Sequence, residues 1–510
     1  MPLINSLIHW VNIKRINQID LFKRYPQDVQ NEVLANLLVK AKNTEIGQKY
    51  KFDIIESAHQ FAETVPVVDY DGFKHYVERI MQGQQNIIWP TEIKWFAKSS
   101  GTTSDKSKFI PVSRESLEEC HYKGGRDVVA LYLKQYPDSE IFLGKTLALG
   151  GSHKISEFNS DLYYGDLSAV LMQNLPFWAE FLRTPTLDIA LMDEWESKIE
   201  KIANETIKHR VSVLAGVPSW MMVLIKRILE ITGKTYLDEV WPQLELFIHG
   251  GVSFEPYRDY YRSFFNNKPM RYMETYNASE GFFAIQDNLF ESDMLLMLDL
   301  GVYYEFIPME YWDSESPKTL TIGEVELNKP YALVISTNSG LWRYKIGDTI
   351  KFTSLYPHKI KITGRTKHFI NAFGEELMVE NAEYAVRWAS EKTGAVVCEY
   401  TAAPIFMNER NTGSHEWIFE FEKEPSNMQT FMEELDWALK TVNSDYEAKR
   451  YKNITLSFPK WVVVKSGTFY QWLKSKNKLG GQHKVPRLAN HREYVEELKE
   501  IHYNNCYYAN

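Results

Sequence analysis

Residues 96–111 read Phe-Ala-Lys-Ser-Ser-Gly-Thr-Thr-Ser-Asp-Lys-Ser-Lys-Phe-Ile-Pro. Ser99, Ser100, Thr102 and Thr103 surround Gly101, and Lys106 and Lys108 follow before Pro111 closes the run. Short hydroxyl side chains and a glycine let backbone N–H groups converge on phosphate oxygens, and a lysine adds compact positive charge. The GxxxxGK[ST] spacing of a Walker A loop is absent. A phosphate loop and a solvated serine-threonine turn share this composition, so the rest of the chain has to decide between them.

Three further clusters could do related chemistry. In Tyr276-Asn-Ala-Ser-Glu-Gly281 a hydroxyl stands beside a carboxylate. Ser279 can donate to a phosphate oxygen, Glu280 can hold Mg²⁺ through oxygen, and Tyr276 offers a flat face to a purine. The same residues also read as core filler followed by a helix N-terminus. In Trp342-Arg-Tyr-Lys-Ile-Gly-Asp348 the aspartate either closes a turn at a strand start or accepts both ribose hydroxyls. The run Gly364-Arg-Thr-Lys-His-Phe-Ile-Asn-Ala-Phe-Gly374 brings Arg365, which can reach a ribose or a phosphate.

The elements that must position these clusters are legible from periodicity. Val29 to Ala41 and Asp71 to Met81 read as helices, as does an amphipathic N-terminal segment with Leu3, Ile4, Leu7, Ile8 and Val11. Glu115 to Leu133 reads as one helix beyond the loop. Short apolar runs then end at glycine or polar clusters: Thr146–Leu149 at Gly150-Gly-Ser, Val211–Ala215 at Gly216-Val-Pro-Ser-Trp220, Leu244–Ile248 at His249-Gly-Gly-Val, and Arg271–Thr275 at Tyr276. Helical patterns such as Trp220 to Thr232 lie between several of them. This is α/β punctuation, and in such sheets ligands collect beyond the carboxyl ends of the strands.

From about 300 to 362 the pattern turns to β without helices, at Val302–Ile307, Tyr331–Thr337, Thr349–Thr353 and Lys359–Thr363, which predicts an antiparallel sheet or open barrel. After Gly364 the chain reads as α+β. Glu380 to Thr393 is a helix, Trp417 to Phe421 and Trp461 to Val464 are strands, and Ser426 with Gln429 forms a capping box for the helix of Phe431, Leu435 and Leu439. The boundary near 364 divides a large α/β domain, residues 1–363, from a small α+β domain, residues 364–510.

Composition narrows the classes of function. With 510 residues the chain exceeds a single core. A net charge of -9 and a pI near 5.9 argue against a nucleic-acid partner. The three cysteines, Cys120, Cys398 and Cys506, are far apart and lack metal-ligand spacing, as expected of reduced thiols in a cytoplasmic protein. No apolar run approaches the roughly 20 residues of a membrane span.

The order of the clusters resembles that of the adenylate-forming enzymes: phosphate loop, Gly-Gly strand end, aromatic-x-x-Ser/Thr-Glu, Gly-Asp, then Gly-Arg at a hinge. Asn43-Thr-Glu-Ile-Gly47, Thr64-Val-Pro-Val-Val-Asp-Tyr70, Tyr76-Val-Glu-Arg-Ile80, Gly467-Thr-Phe-Tyr-Gln-Trp-Leu473 and Gly480-Gly-Gln-His-Lys-Val-Pro-Arg487 narrow it to the GH3 acyl-acid amido synthetases. The likeness spans nearly the whole chain and looks closer to bacterial members than to plant auxin or jasmonate conjugators. It implies the adenylate-forming fold, with a mobile C-terminal domain hinged near 364–368.

The resemblance also implies roles. Ser99, Ser100, Thr102 and Thr103 would cradle the ATP phosphates, with Lys108 offsetting their charge. Gly250 and Gly251 would admit the adenine, against which Tyr276 packs. Ser279 would meet the α-phosphate, Glu280 the Mg²⁺, and Asp348 the ribose with Arg365 nearby, while Lys484 arrives with the C-terminal domain. The chain departs from the family pattern at Asp105, where glycine is usual, and at His483, where tyrosine is usual. Arg126 is either a partner for the substrate carboxylate or a solvated surface residue. The implied reaction joins a small carboxylic acid to an amino acid or other amine through an acyl adenylate, with AMP and pyrophosphate released. An acyl-CoA ligase and a catalytically silent nucleotide-binding relative are the alternatives.

Overall fold

The computed structural model describes residues 2–507, apart from 100–107, 151–155, 160, 193, 253, 255–256, 267, 313, 315, 366–368, 408–411, 454 and 477–484. The chain opens with helices Pro2–Arg24 and Pro26–Ala41. Pro26 sits in the first turn of the second, where the N–H that proline lacks would have no intrahelical acceptor. Arg15 ties the first helix to the body. Its Nε and Nη2 lie 2.6 Å from the two Asp127 carboxylate oxygens, and Nη2 also lies 2.8 Å from Asp299 Oδ1. Helix Tyr70–Met81 starts where the Asp69 carboxylate accepts from the Gly72 N–H, and it buries Phe73, Tyr76, Val77 and Ile80 on one face. Among the described residues no helix is long and apolar enough to cross a membrane.

Strands β1 (Trp95–Ser99) and β2 (Lys108–Val112) pair antiparallel as the two arms of a hairpin. A helical run follows. Residues 116–121 make a wide π turn that continues into helix Tyr122–Gln135, instead of the uniform helix expected over 115–133. The wide turn sets Cys120 and His121 against the strand pair that carries Asn277 and Phe282. There the Phe282 N–H donates to Cys120 Sγ at 3.2 Å.

Next come β3 (Lys145–Leu149), β4 (Ser156–Asn159), β5 (Leu162–Gly165), β6 (Arg183–Thr184), β7 (Val211–Gly216), β8 (Leu246–Gly250), β9 (Arg271–Ala278), β10 (Gly281–Ile285) and β11 (Met294–Leu296). They are followed by β12 (Val302–Pro308), β13 (Pro330–Thr337), β14 (Tyr344–Leu355) and β15 (His358–Arg365). Among the described residues the large sheet has eleven strands in the order β12-β13-β14-β15-β11-β10-β9-β8-β7-β3-β6. Strands β6, β3, β7, β8 and β9 run parallel, and the pairings from β9 through to β12 are antiparallel. The antiparallel strands expected between 300 and 362 are present and extend the parallel sheet. The tight β9–β10 turn reverses direction inside a single hydrogen-bonded surface, which local periodicity cannot register. A second sheet, β2-β1-β5-β4, carries the hairpin.

The remaining strands are β16 (Phe369–Ile370), β17 (Leu377–Met378), β18 (Val396–Ile405), β19 (Ser414–Lys423) and β20 (Lys460–Val464), the last three forming one sheet. Helices Val379–Thr393 and Met428–Val442 pack together. The second is capped by Asn427, whose side chain accepts from the Gln429 and Thr430 N–H groups. The expected Ser426–Gln429 box is displaced by one residue, because an asparagine oxygen nearer the helix caps equally well. One apolar cluster runs from Met221, Ile225 and Tyr257 into Phe373, Trp417 and Phe431, so the two halves of the chain share buried surface.

Arg343 fixes the approach to β14. Its Nε lies 2.9 Å from Glu305 Oε2, Nη2 lies 2.8 Å from both Glu305 Oε1 and Thr319 Oγ1, and Nη1 donates to the carbonyls of Ala62 (2.6 Å) and Val65 (2.5 Å). Both side chains of the ion pair are 4% exposed. The backbone of Val68 then bridges to Arg343 and Lys345, docking residues 62–68 onto the strand that carries Asp348. Removing one member of such a pair strands a buried charge. We expect Arg343→Met to lower stability by about 3–5 kcal/mol, read from the urea midpoint, and Arg343→Lys to recover little because it lacks the planar fork. A midpoint like that of the wild-type protein would show that the guanidinium does not hold this corner together.

Candidate active site

The parallel half of the sheet presents its carboxyl ends at one place. Leu149 of β3 and Gly150 after it, Ala215 and Gly216 of β7, His249 and Gly250 of β8, and Thr275 and Asn277 of β9 line a cleft of about 420 Å³. Gly251, Ser279 and Lys98 line it too. Asn371, Gly374, Glu376, Ser444 and Asp445 from the C-terminal half close its other side.

Glycine is required at the floor for a steric reason. A Cβ on Gly250 would stand 2.5 Å from the Thr275 carbonyl oxygen, a backbone atom of the neighbouring strand. Gly251 has φ +82°, a conformation other residues adopt only with strain. Its carbonyl accepts from Asn371 Nδ2 at 3.3 Å, a direct hydrogen bond between the two halves.

The β9–β10 hairpin carries the second cluster. Ala278 pairs with Gly281, which leaves Ser279 and Glu280 as a two-residue turn, while Tyr276, Asn277 and Ala278 belong to the strand. Ser279 lines the cleft and Glu280 is buried. The Tyr276 ring is buried edge-on against Phe283, with centroids 4.9 Å apart, and it does not line the cleft. Its hydroxyl donates to Asp348 Oδ2 at 2.5 Å. Asp348 lies within β14 and not at a strand start, just after Gly347 at φ +94°, and its Cα pairs with that of Arg365 on β15. Two motifs separated by 72 residues are thus joined by one bond.

Beside them, His121 Nδ1 lies 3.0 Å from Asn277 Oδ1. Burial pushes the His121 imidazole down to about 4, so it is neutral near pH 7 and holds the Asn277 amide against the cleft. His249 is buried and stacked on Phe254 at 4.1 Å, and burial pushes it down to about 3. A neutral imidazole on the cleft wall neither attracts nor repels a polyphosphate by charge.

The hairpin places the phosphate-loop residues in part. Ser99 pairs with Lys108 at its base, and the Lys108 ammonium lies 5.9 Å from the centroid of Tyr70, whose hydroxyl accepts from the Phe109 N–H at 2.8 Å. Ser100, Thr102, Thr103, Asp105 and Lys106 lie outside the described residues, as do His483, Lys484 and the expected hinge residues 366–368. The structure therefore gathers Gly250, Gly251 and Ser279 on one cleft with Lys98, and couples Tyr276 to Asp348. Sequence reasoning missed Lys98, His121, Asn277, Trp220, Asn371 and Glu376. Lys98, Asn277, Trp220 and Asn371 lie inside the motif runs given above, whereas His121 carries no local signal.

Sequence models of the GH3 N-terminal domain, central domain and C-terminal domain match residues 15–270, 295–365 and 380–493. The chain belongs to the GH3 family. Its relatives include the indole-3-acetic acid-amido synthetase GH3.3 of Arabidopsis thaliana, 23% identical, with 96% of this chain and 93% of that protein aligned. The 4-substituted benzoates-glutamate ligase GH3.12 of the same plant is 24% identical, with 93% and 94% aligned. Among solved structures, the GH3.15 acyl acid amido synthetase superposes with a TM-score of 0.58 at 18% identity, covering 93% of each chain. A 2-hydroxyisobutyryl-CoA ligase superposes with 0.58 at 12% identity, covering 94% and 93%. At these identities the superpositions establish the shared adenylate-forming fold.

The crowding at Gly250 is testable in this GH3 protein. Gly250→Ala forces β8 and β9 apart, at a cost of about 1–3 kcal/mol, and narrows the cleft. The urea midpoint and calorimetric affinity for ATP should both fall, and unchanged values would show that the strands yield freely there.

Proposed function

We propose that this GH3 protein activates a small carboxylic acid with ATP as an acyl adenylate and then transfers the acyl group to an amine, of which an amino acid is the leading class. The observation that carries the reading is the Tyr276–Asp348 hydrogen bond, which couples Asp348 to the β9–β10 hairpin whose Asn277 and Ser279 line a glycine-floored cleft at the sheet's carboxyl end. The names of its amido synthetase relatives support the same chemistry.

In this reading Ser99, Ser100, Thr102 and Thr103 surround the phosphates and Lys108 offsets their charge. Gly250 and Gly251 let the backbone meet the adenine. Asp348 accepts from the ribose hydroxyls with Arg365 near it, and Tyr276 keeps that carboxylate oriented through its hydroxyl. Ser279 meets the α-phosphate. Among the described residues there is no group of three or more His, Cys, Asp or Glu able to cage a metal. One carboxylate, from Glu280, completed by phosphate oxygens and water, is the donor set Mg²⁺ commonly takes. When bound, Mg²⁺ supplies charge neutralisation on the phosphates.

The substrate carboxylate attacks the α-phosphorus and pyrophosphate leaves, replacing an oxide leaving group with AMP. The amine nitrogen then attacks the activated carbonyl, AMP leaves and the nitrogen loses a proton. A side-chain nucleophile is unnecessary, and the demand on the protein is to bring anions together and keep water away from the adenylate. Division into residues 1–363 and 364–510, hinged at 364–368, lets the smaller domain carry Lys484 to the site for one step and withdraw it for the other.

ATP–pyrophosphate exchange across a library of carboxylic acids, followed by mass detection of products with mixed amino acids, tests this reading. CoA thioesters in place of amides would make the protein an acyl-CoA ligase, and ATP binding without exchange for any acid would make it a silent relative. Asp348→Ala removes the ribose acceptor. Charged hydrogen bonds contribute about 1.5–3 kcal/mol each, so the KM for ATP should rise by roughly 10- to 100-fold. Glu280→Gln should suppress exchange far more than it weakens ATP binding. Wild-type behaviour in both variants overturns the site assignment.

A further inference from the structure

Lys449 lies on the helix Ser444–Arg450 of the C-terminal half and is 4% exposed. Its Nζ sits 3.8 Å from the ring centroid of Trp220, which opens the long helix after β7 in the N-terminal half. Among the described residues this ammonium makes no hydrogen bond and no ion pair. Burial pulls its pKa down, while the charges of Asp445, Asp166, Glu375 and Glu376 act in the opposite direction. A buried cation held only by a ring face lacks hydrogen-bond acceptors for its protons, an arrangement that is unfavourable until one arrives.

The position of that cation is informative. Gly374, at φ +86°, lines the cleft, and a Cβ built on it would lie 3.4 Å from Lys449 Cε, 4.0 Å from Lys449 Nζ and 3.8 Å from Trp220 Nε1. The space above Gly374 is thus bordered by two N–H donors, one of them charged. Asp166, Glu376 and Asp445 line the same cleft, so anionic and cationic protein groups lie within one small volume. A zwitterion complements that pattern, with its carboxylate on the lysine and its ammonium toward the acids.

We propose that Lys449 is a specificity residue for the second half-reaction: together with the Trp220 indole N–H over Gly374, it binds the carboxylate of the acceptor, so that the acceptor is an α-amino acid and not a simple amine. This rests on the amide-forming activity proposed above. Lys449 is not among the residues assigned to the nucleotide above, so the effect is expected on the acceptor.

Amide formation is measured with the acid giving the strongest pyrophosphate exchange, using alanine and alaninamide, which differ in the carboxylate, as acceptors. In the wild-type protein the KM for alanine should be at least about tenfold below that for alaninamide, the discrimination expected of a charged hydrogen bond. Lys449→Met, which keeps the side chain's bulk, should raise the KM for alanine about tenfold or more and bring the ratio toward one, with the KM for ATP nearly unmoved. Lys449→Arg should restore part of the ratio. Equal use of alanine and alaninamide by the wild-type protein overturns the proposal without any variant, and so does a ratio that survives Lys449→Met. Strong exchange with either of those results removes only the role of Lys449, whereas no exchange with any acid removes the amide-forming reading and this one together.

Discussion

The turn between β9 and β10 is where the sheet changes from parallel to antiparallel, and the site depends on how that change is held. Upstream of it, strands deliver glycine and polar residues at their carboxyl ends. Downstream, hairpin pairing returns β14 and β15 to the same neighbourhood, with β11 between β10 and β15. The Tyr276 hydroxyl on Asp348 spans this junction from β9 to β14, strands that are not neighbours in the sheet. Both side chains are buried, so the bond is made in a low-dielectric setting where an oriented charge loses little to solvent. An aspartate fixed in this way can accept further hydrogen bonds without first reorganising, which suits the ribose-binding role proposed for it.

Other buried charges in the protein serve anchorage. Arg15 reaches Asp127 and Asp299, Arg343 reaches Glu305 and three other oxygen acceptors, and Arg450 binds both oxygens of Asp436 while Tyr446 donates to the same group at 2.7 Å. Each joins segments that apolar contact alone would allow to slide. The third fixes the helix that carries Ser444, Asp445 and Lys449 within the C-terminal half. In the same half, Glu375 accepts from the Phe373 N–H at 2.7 Å and lies 2.8 Å from His415 Nε2, which shapes the loop presenting Gly374 and Glu376.

What the sequence conveyed follows the range of the physical signal. Apolar runs ending at Gly150, Gly216 and Gly250 report strands and their functional ends, because burial and the need for bare backbone are both local properties. The helices 26–41, 70–81 and 218–232 are local for the same reason. The π turn at 116–121, the cap at Asn427 and the continuity of the large sheet were not legible, since each is decided between near-equal local alternatives by packing from elsewhere. Asp348 is marked by its Gly-Asp context, whereas its partner Tyr276 reads from the sequence as either a purine platform or core filler. Only the fold shows that the tyrosine ring belongs to the interior. Lys449 carries no motif at all, because its meaning comes from Trp220, a residue 229 positions earlier in the chain.

A cleft shared by two halves has a chemical consequence. Activation and transfer use the same carbonyl but need opposite surroundings: an anion must first approach a polyphosphate, and a nucleophilic amine must then approach a neutral mixed anhydride. A rigid pocket optimised for the first would admit water to the second. Here the N-terminal half contributes the glycine floor, Lys98 and Ser279, while the C-terminal half contributes Asn371, Gly374, Glu376 and Asp445 to the facing wall. The contact between them combines shared apolar surface with the Asn371–Gly251 hydrogen bond and the Lys449–Trp220 contact. Directional polar contacts of this kind can be exchanged for others at small net free energy, because each group can find water or another partner on separation. An interface built partly from them is compatible with the movement of the smaller domain proposed between the two steps.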